Sequence, residues 1–83
     1  MARIIVDSRE SKSGIADHLK RGGAEVVIEE MESGDYQLTE EIGIERKASN
    51  DFVISIMDGR FIPQIKLLKA TFKEPYVLIE GDP

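Results

Sequence analysis

The stretch that decides how this chain folds is GDYQLTEEIGIERKASND, Gly34 to Asp51. Ser33-Gly34-Asp35 is a turn signal. Tyr36-Gln37-Leu38 and Ile42-Gly43-Ile44 then alternate around Thr39-Glu40-Glu41, which reads as a hairpin. Successive strand residues point to opposite faces. Ile42, Ile44 and Arg46 therefore share one face, and Gly43, Glu45 and Lys47 the other. With the isoleucines given to the core, Glu45 and Lys47 point away from it together. Setting Leu38 opposite Ile42 puts Tyr36 opposite Ile44 and Asp35 opposite Glu45. That register keeps the apolar pairs on one face and faces two carboxylates on the other, with Cβ atoms about 4.5–5.5 Å apart.

Working outward, Arg3 to Asp7 (RIIVD) is an apolar run ending in a charge, a buried strand. Ser11-Lys12-Ser13-Gly14 supplies the N-cap of a helix carrying Ile15, Ala16 and Leu19, and Gly22-Gly23 stops it. Glu25 to Glu29 (EVVIE) is a second strand, and a right-handed crossover makes it parallel to the first. Downstream, Ser49 or Asn50 caps a helix carrying Phe52, Val53, Ile56 and Met57, which Asp58-Gly59 breaks. Phe61, Ile65, Leu68 and Phe72 form one apolar stripe on the next helix, with Pro63 in its first turn. Glu74-Pro75 ends that helix, and Tyr76 to Ile79 (YVLI) is the last strand. RIIV, VVI and YVLI are nearly continuous apolar runs, as strands covered on both faces require. The predicted fold is therefore α/β, a mixed sheet with helices on both faces.

Composition narrows the function classes. Eighty-three residues make one domain, and 41% hydrophobic with 33% charged residues is a globular balance. The net charge of −5 argues against a simple cationic nucleic-acid binder, whose affinity rests on neutralising phosphates. It is compatible with clustered carboxylates that hold a divalent cation. Without cysteine there is no disulfide framework and no thiolate metal site, so a metal must take oxygen ligands or the single His18. No apolar run approaches the roughly 18 residues of a membrane span, and no signal peptide precedes the first strand. An intracellular compartment is expected.

The acid–turn–acid–lysine spacing Asp35-x(9)-Glu45-x-Lys47 has a chemical logic. Two facing carboxylates repel unless something positive lies between them. Lys47 supplies part of that charge, and an oxygen-only pair suits Mg²⁺ or Mn²⁺. Such an ion polarises a phosphoryl oxygen and acidifies water, while a lysine beside that water orients it or offsets developing charge. Taken alone, the spacing recurs by chance in acidic sequences, and a solvated strand end with an incidental Glu–Lys pair explains it equally.

The flanks add to it. Gly34-Asp35-Tyr36, then Ile44-Glu45-Arg46-Lys47 followed by Asp51-Phe52, resembles the GDY…ERKxxxD signature of XPF-type structure-specific DNA endonucleases. Val6-Asp7-Ser8-Arg9-Glu10 resembles that family's V-D-x-R-E opening. Ile56 to Phe61 with Gln64 resembles its S-I-x-D-G-R segment, and Tyr76 to Gly81 its following strand. The resemblance covers essentially the whole chain, in order. It implies a restriction-endonuclease-like fold of the PD-(D/E)xK type, with metal-dependent phosphodiester hydrolysis near junctions such as flaps, forks and bubbles. It implies Mg²⁺ or Mn²⁺ on Asp35 and Glu45, with the Arg46 carbonyl as a further ligand and Lys47 positioning water. Asp7, Arg9, Glu10, Arg46, Asp51 and Arg60 match positions around the site, with Arg9, Arg46 and Arg60 expected at DNA. The resemblance also implies branched DNA as partner and a homodimer or heterodimer with a related subunit. Location would be the nucleus in a eukaryote, or the cytoplasm and nucleoid in an archaeon. Because such nuclease domains continue beyond this last strand and a helix-hairpin-helix domain usually follows, residues 1–83 are expected to be a nuclease core incomplete at its C-terminus. Hydrophobic surface is then expected to be exposed. With the ERK motif intact, a catalytic role is expected of the parent protein, and weak or no activity of residues 1–83 alone. The alternative is a non-catalytic dimerisation or DNA-positioning module of the same fold.

Other motifs read more plainly. Ser11-Lys12-Ser13-Gly14 lacks the glycine run of a phosphate loop and is a cap. His18 is surface or packing, Arg21-Gly22-Gly23 a helix stop, and Lys66, Lys69 and Lys73 a solvated helix face. Arg60, expected at a helix N-terminus where a cation is disfavoured, calls for a nearby anion or for an ion pair with Asp58 or Asp51. A receiver-like signalling domain also starts on a run such as RIIVD, but it needs a lysine after its last strand, and Lys47 precedes it.

Overall fold

The computed structural model describes residues 2–81. Strand β1 (Arg3–Asp7) runs into a 3-10 segment (Ser8–Ser13) and helix α1 (Ile15–Arg21); β2 (Glu25–Glu29), β3 (Tyr36–Gln37) and β4 (Ile42–Ala48) follow. Helices α2 (Ser49–Met57) and α3 (Phe61–Thr71) then lead to β5 (Glu74–Glu80). The five strands form one mixed sheet in the order β2-β1-β3-β4-β5. β1 and β2 are parallel, as are β4 and β5, while β3 is antiparallel to both neighbours. The hairpin register is the expected one at Tyr36 and Leu38, while Asp35 lies just before the ladder, its N–H donating to Ile44 O. Tyr36 lies opposite Ile44, and the Leu38 N–H donates to Ile42 O at 3.0 Å. The Thr39 hydroxyl accepts from the N–H groups of Glu41 and Ile42 at 3.1 Å each and closes the turn.

Two apolar clusters cover the two faces. On the α1 side, Ile4, Val6, Ala16 and Tyr36 are buried with Ile15, Leu19, Val26 and Ile44 packed around them. On the α3 side, Met31, Leu68 and Phe72 are buried against Ile5 and Val77. Gly43 is what lets α3 approach: a Cβ there would stand 2.1 Å from Phe72 Cδ2. The face of Gly43, Glu45 and Lys47 thus carries a core of its own, where parity alone had left it pointing away from one.

The N-cap of α1 falls within Ser11–Gly14 as expected: Ser8–Ser13 form a 3-10 segment, and Gly14, in the left-handed region at φ 84°, is the N-cap residue. Ser13 Oγ accepts from Ile15 N–H at 3.2 Å. Two other local expectations shift. Neither Ser49 nor Asn50 caps α2. β4 stays paired with β5 through Ala48–Glu80, so Ala48 holds the N-cap position with extended backbone and no side-chain cap. β5 begins at Glu74 because Glu74 and Pro75 already pair with Ile42 and Gly43. Proline is tolerated there because β5 is an edge strand. On the α1 side, β5 leaves Tyr76 and Leu78 exposed, the kind of open apolar surface expected above.

Candidate functional site

The turn before β3 and the middle of β4 place the acidic pair. Gly34 adopts φ 81°, and a Cβ there would press on Leu68, Phe72 and the Ile44 carbonyl at 3.3–3.4 Å, so glycine is required. Asp35 follows. Its N–H donates to Ile44 O at 2.7 Å, its carbonyl accepts from Asp7 N–H at 2.8 Å, and its Oδ2 accepts from Arg46 N–H at 2.7 Å. The carboxylate is thereby fixed beside Glu45. Both are half-buried and line one cleft of roughly 320 Å³ with Asp7, Arg9, Glu10, Glu32 and Gln64.

Electrostatics sort the carboxylates. Arg9 grips Asp7 through Nε at 2.8 Å and a second nitrogen at 3.1 Å, and it also donates to Met31 O at 2.8 Å. Met31 N–H donates to Asp7 at 2.7 Å. Held chiefly by the Arg9 hydrogen bond against the opposing effect of burial, the Asp7 carboxyl lies at about 2. Glu10 accepts from the Tyr36 hydroxyl at 2.9 Å and pairs with the Arg46 guanidinium, which also reaches Glu80 at 2.9 Å. Those two carboxylates hold Arg46 firmly charged, and burial above all pushes the Tyr36 phenol up to about 12. Glu32, Asp35 and Glu45 make no ion pair within 4 Å among the described residues. Burial first raises both Asp35 and Glu45, and for Glu45 the nearby Asp35 raises it further. Among the described residues no group of three or more His, Asp or Glu side chains is arranged around an ion position.

Asp35, Glu45, Asp7, Arg9 and Glu10 thus share one cleft, as grouped from sequence. Lys47 joins it through Gln64, whose Oε1 accepts from Nζ at 2.9 Å. Arg46 divides: its N–H serves Asp35, while its side chain lies on the α1 side between Glu10 and Glu80. Asp51 and Arg60 are not brought in. By Asp51 the chain has turned into α2, where the residue is exposed. Arg60, the N-cap residue of α3, pairs with Asp58 at 3.3 Å, the simpler of the two explanations for a cation at that end. Gln64 and Glu32 were not among the candidate site residues. Gln64 stood within the DGR segment of the sequence pattern, and Glu32 precedes the turn without any periodic signal.

Residues 6–83 match the ERCC4 domain family. The chain is 41% identical over 80 residues to the "3'-flap repair endonuclease Xpf" of Saccharolobus solfataricus, covering 96% of this chain and 34% of that one. It is 36% identical over 80 residues to the "DNA repair endonuclease XPF" of Mus musculus, covering 96% of this chain but 9% of the relative. Among solved structures, "XPF from Aeropyrum pernix, complex with DNA" superposes with a TM-score of 0.94 at 34% identity, over 100% of this chain and 42% of that one. The chain spans about a third or less of the length of these two curated relatives. Sequence match over residues 6–83 and backbone superposition over the whole chain agree, and the chain belongs to the ERCC4 domain family of the XPF endonucleases.

Proposed function

We propose that the chain is the catalytic part of a structure-specific DNA endonuclease that hydrolyses phosphodiester bonds near double-strand/single-strand junctions with a divalent cation. The observation that carries this reading is the pair Asp35 and Glu45, half-buried in one cleft and, among the described residues, in no ion pair. Mg²⁺ is commonly held by one or two carboxylates, with waters and substrate phosphates as its other ligands, so two protein carboxylates suffice. Asp35 keeps Oδ1 clear of hydrogen bonds among the described residues, and Glu45 its whole carboxylate; the Arg46 carbonyl is the further donor proposed. Mg²⁺ or Mn²⁺ bound there would supply Lewis acidity at a phosphoryl oxygen and acidify water.

The chain's own groups do the rest. Lys47 orients the attacking water and offsets negative charge as the bond to phosphorus forms. Arg9, fixed by Asp7 and the Met31 carbonyl yet exposed, presents its remaining donors to a DNA phosphate at the cleft mouth. The names of the relatives, a flap repair endonuclease and DNA repair endonucleases, support flap- or fork-shaped DNA as substrate and a place inside the cell. Pairing with a second, related subunit belongs to the same proposal and is checked by sedimentation. The decisive experiment is cleavage of flap and fork DNA in Mg²⁺ or Mn²⁺. Glu45→Ala and Lys47→Ala abolish cutting, while Lys69→Ala on the exposed helix face cuts as the wild type does. Cutting by Glu45→Ala at the wild-type rate would remove Glu45 from the site. In Mn²⁺ calorimetry, Asp35→Asn weakens binding; equal binding would remove Asp35.

A further inference from the structure

We propose that Gln64 is a positioning residue that sets where the Lys47 amine stands over the carboxylate pair. This rests on the nuclease reading above. A lysine presents a compact charge on a flexible four-carbon stem with roughly 2 kcal/mol of rotamer entropy. Glu45 lies two residues away on the same face of β4, the nearest anion along the strand. Left to itself, the ammonium would collapse onto Glu45 and occupy the place of a divalent ion. It does not: no ion pair within 4 Å includes Lys47 among the described residues, and its hydrogen-bond partner is the neutral oxygen of Gln64 at 2.9 Å. An ammonium only donates, so the partner atom must be the amide oxygen. A neutral acceptor holds the amine without cancelling its charge and without adding an anion where a phosphate must approach.

The holder is itself held. Gln64 sits in the first turn of α3, follows Pro63, and donates its N–H to Arg60 O at 3.2 Å. Further along, α3 is seated by Leu68 and Phe72, with the Phe72 ring over Gly43. The place of the amine is therefore set from α3 rather than by β4 alone. Gln64 is exposed and contributes nothing to either apolar cluster, so its removal does not undermine the fold.

Two measurements test this. In the metal-free protein, hydrogen exchange of the Lys47 ammonium, followed by ¹H–¹⁵N correlation and assigned by its loss in Lys47→Arg, is expected to be slower than that of exposed Lys20. In Gln64→Ala the two become alike. In single-turnover cleavage of flap DNA, Gln64→Ala is expected to lower the maximal rate by about 10- to 100-fold, the cost of a misplaced group. The DNA concentration at half-maximal rate and the Mn²⁺ affinity stay within about twofold, a margin far below that loss. Gln64→Glu keeps an oxygen at the same reach but adds an anion, so it is expected to keep the Lys47 exchange slow without restoring the rate. A wild-type maximal rate in Gln64→Ala, or unchanged Lys47 exchange, overturns the proposal. So does a defect confined to DNA affinity, which would make Gln64 a DNA contact. Failure of the nuclease reading is separate: the wild type itself would then not cut, while the exchange measurement still reports on the hydrogen bond.

Discussion

Along β4 the residues facing α3 and those facing α1 have the same local geometry and different employment. Gly43, Glu45 and Lys47 meet, in turn, the Phe72 ring, the acidic cleft and Gln64. Ile44 and Arg46 meet the α1-side cluster and the carboxylates of Glu10 and Glu80. On the first face Asp35 and Glu45 stand next to a core without an ion pair, Lys47 acting on Glu45 only from a distance; on the second Arg46 is paired with both Glu10 and Glu80. Uncompensated half-buried carboxylates are costly and persist where they are used, while a satisfied ion-pair bridge is a means of holding the ends of strands together. The Arg46 bridge ties the 3-10 segment after β1 to β5, and its own N–H fixes Asp35 from behind. The second face thus supports the first.

That division is most sharply broken by comparing neighbours. Lys47→Ala is expected to abolish flap cleavage while leaving the thermal midpoint unchanged. Arg46→Gln is expected to slow cleavage less and to lower the midpoint. If Arg46→Gln abolishes cutting at full stability, Arg46 acts on DNA directly and the division between faces fails. The next effect is Gly43→Ala. Its Cβ would meet Phe72 at 2.1 Å, and overpacking of this kind costs about 1–3 kcal/mol. Urea unfolding should show that loss, and cleavage should fall with it because α3 carries Gln64. Arg46→Gln itself should cost about 1–2 kcal/mol in urea, since the bridge is only partly buried, its side chain being 25% exposed and that of Glu80 47%.

The smallest effect is a pH limb. In the folded chain the Asp7 carboxyl is lowered from 3.8 to about 2, chiefly by its hydrogen bond from Arg9. A lowered folded value means that the charged form stabilises the fold. The contribution is complete above pH 3.8 and fades as the pH falls through 2. Wild type and Asp7→Asn compared by urea unfolding should therefore differ most at pH 5 and converge towards pH 2. A constant difference across that range would show that Asp7 acts through its shape rather than its charge.

Much of this was legible in the chain itself. The hairpin register could be read because alternation leaves only one pairing that keeps Tyr36 with Ile44, and the structure has it. The stripe Phe61, Ile65, Leu68, Phe72 named the face of α3 that is covered, down to fully buried Leu68. Less legible was Arg46, grouped with DNA-facing residues because its side chain follows Glu45 in the motif. Its partners, Glu10 and Glu80, lie 36 and 34 residues away in sequence. Asp51 and Arg60 were grouped with the site by the motif, and the turn into α2 and the Asp58 pair set them apart. The α2 cap moved because strand pairing through Ala48 outlasted the local preference of Ser49 and Asn50 for a cap.

By itself, the sequence determined parity and register: which of Asp35, Glu45, Arg46 and Lys47 share a side. Those follow from a two-residue repeat and a turn, both local. Only the tertiary structure decided what each side meets. α3 docks through Phe72 onto Gly43 and carries Gln64 to Lys47, and the 3-10 segment brings Glu10 to Arg46. Those contacts depend on how elements far apart in the chain settle against the sheet, and no repeat within a single strand records that.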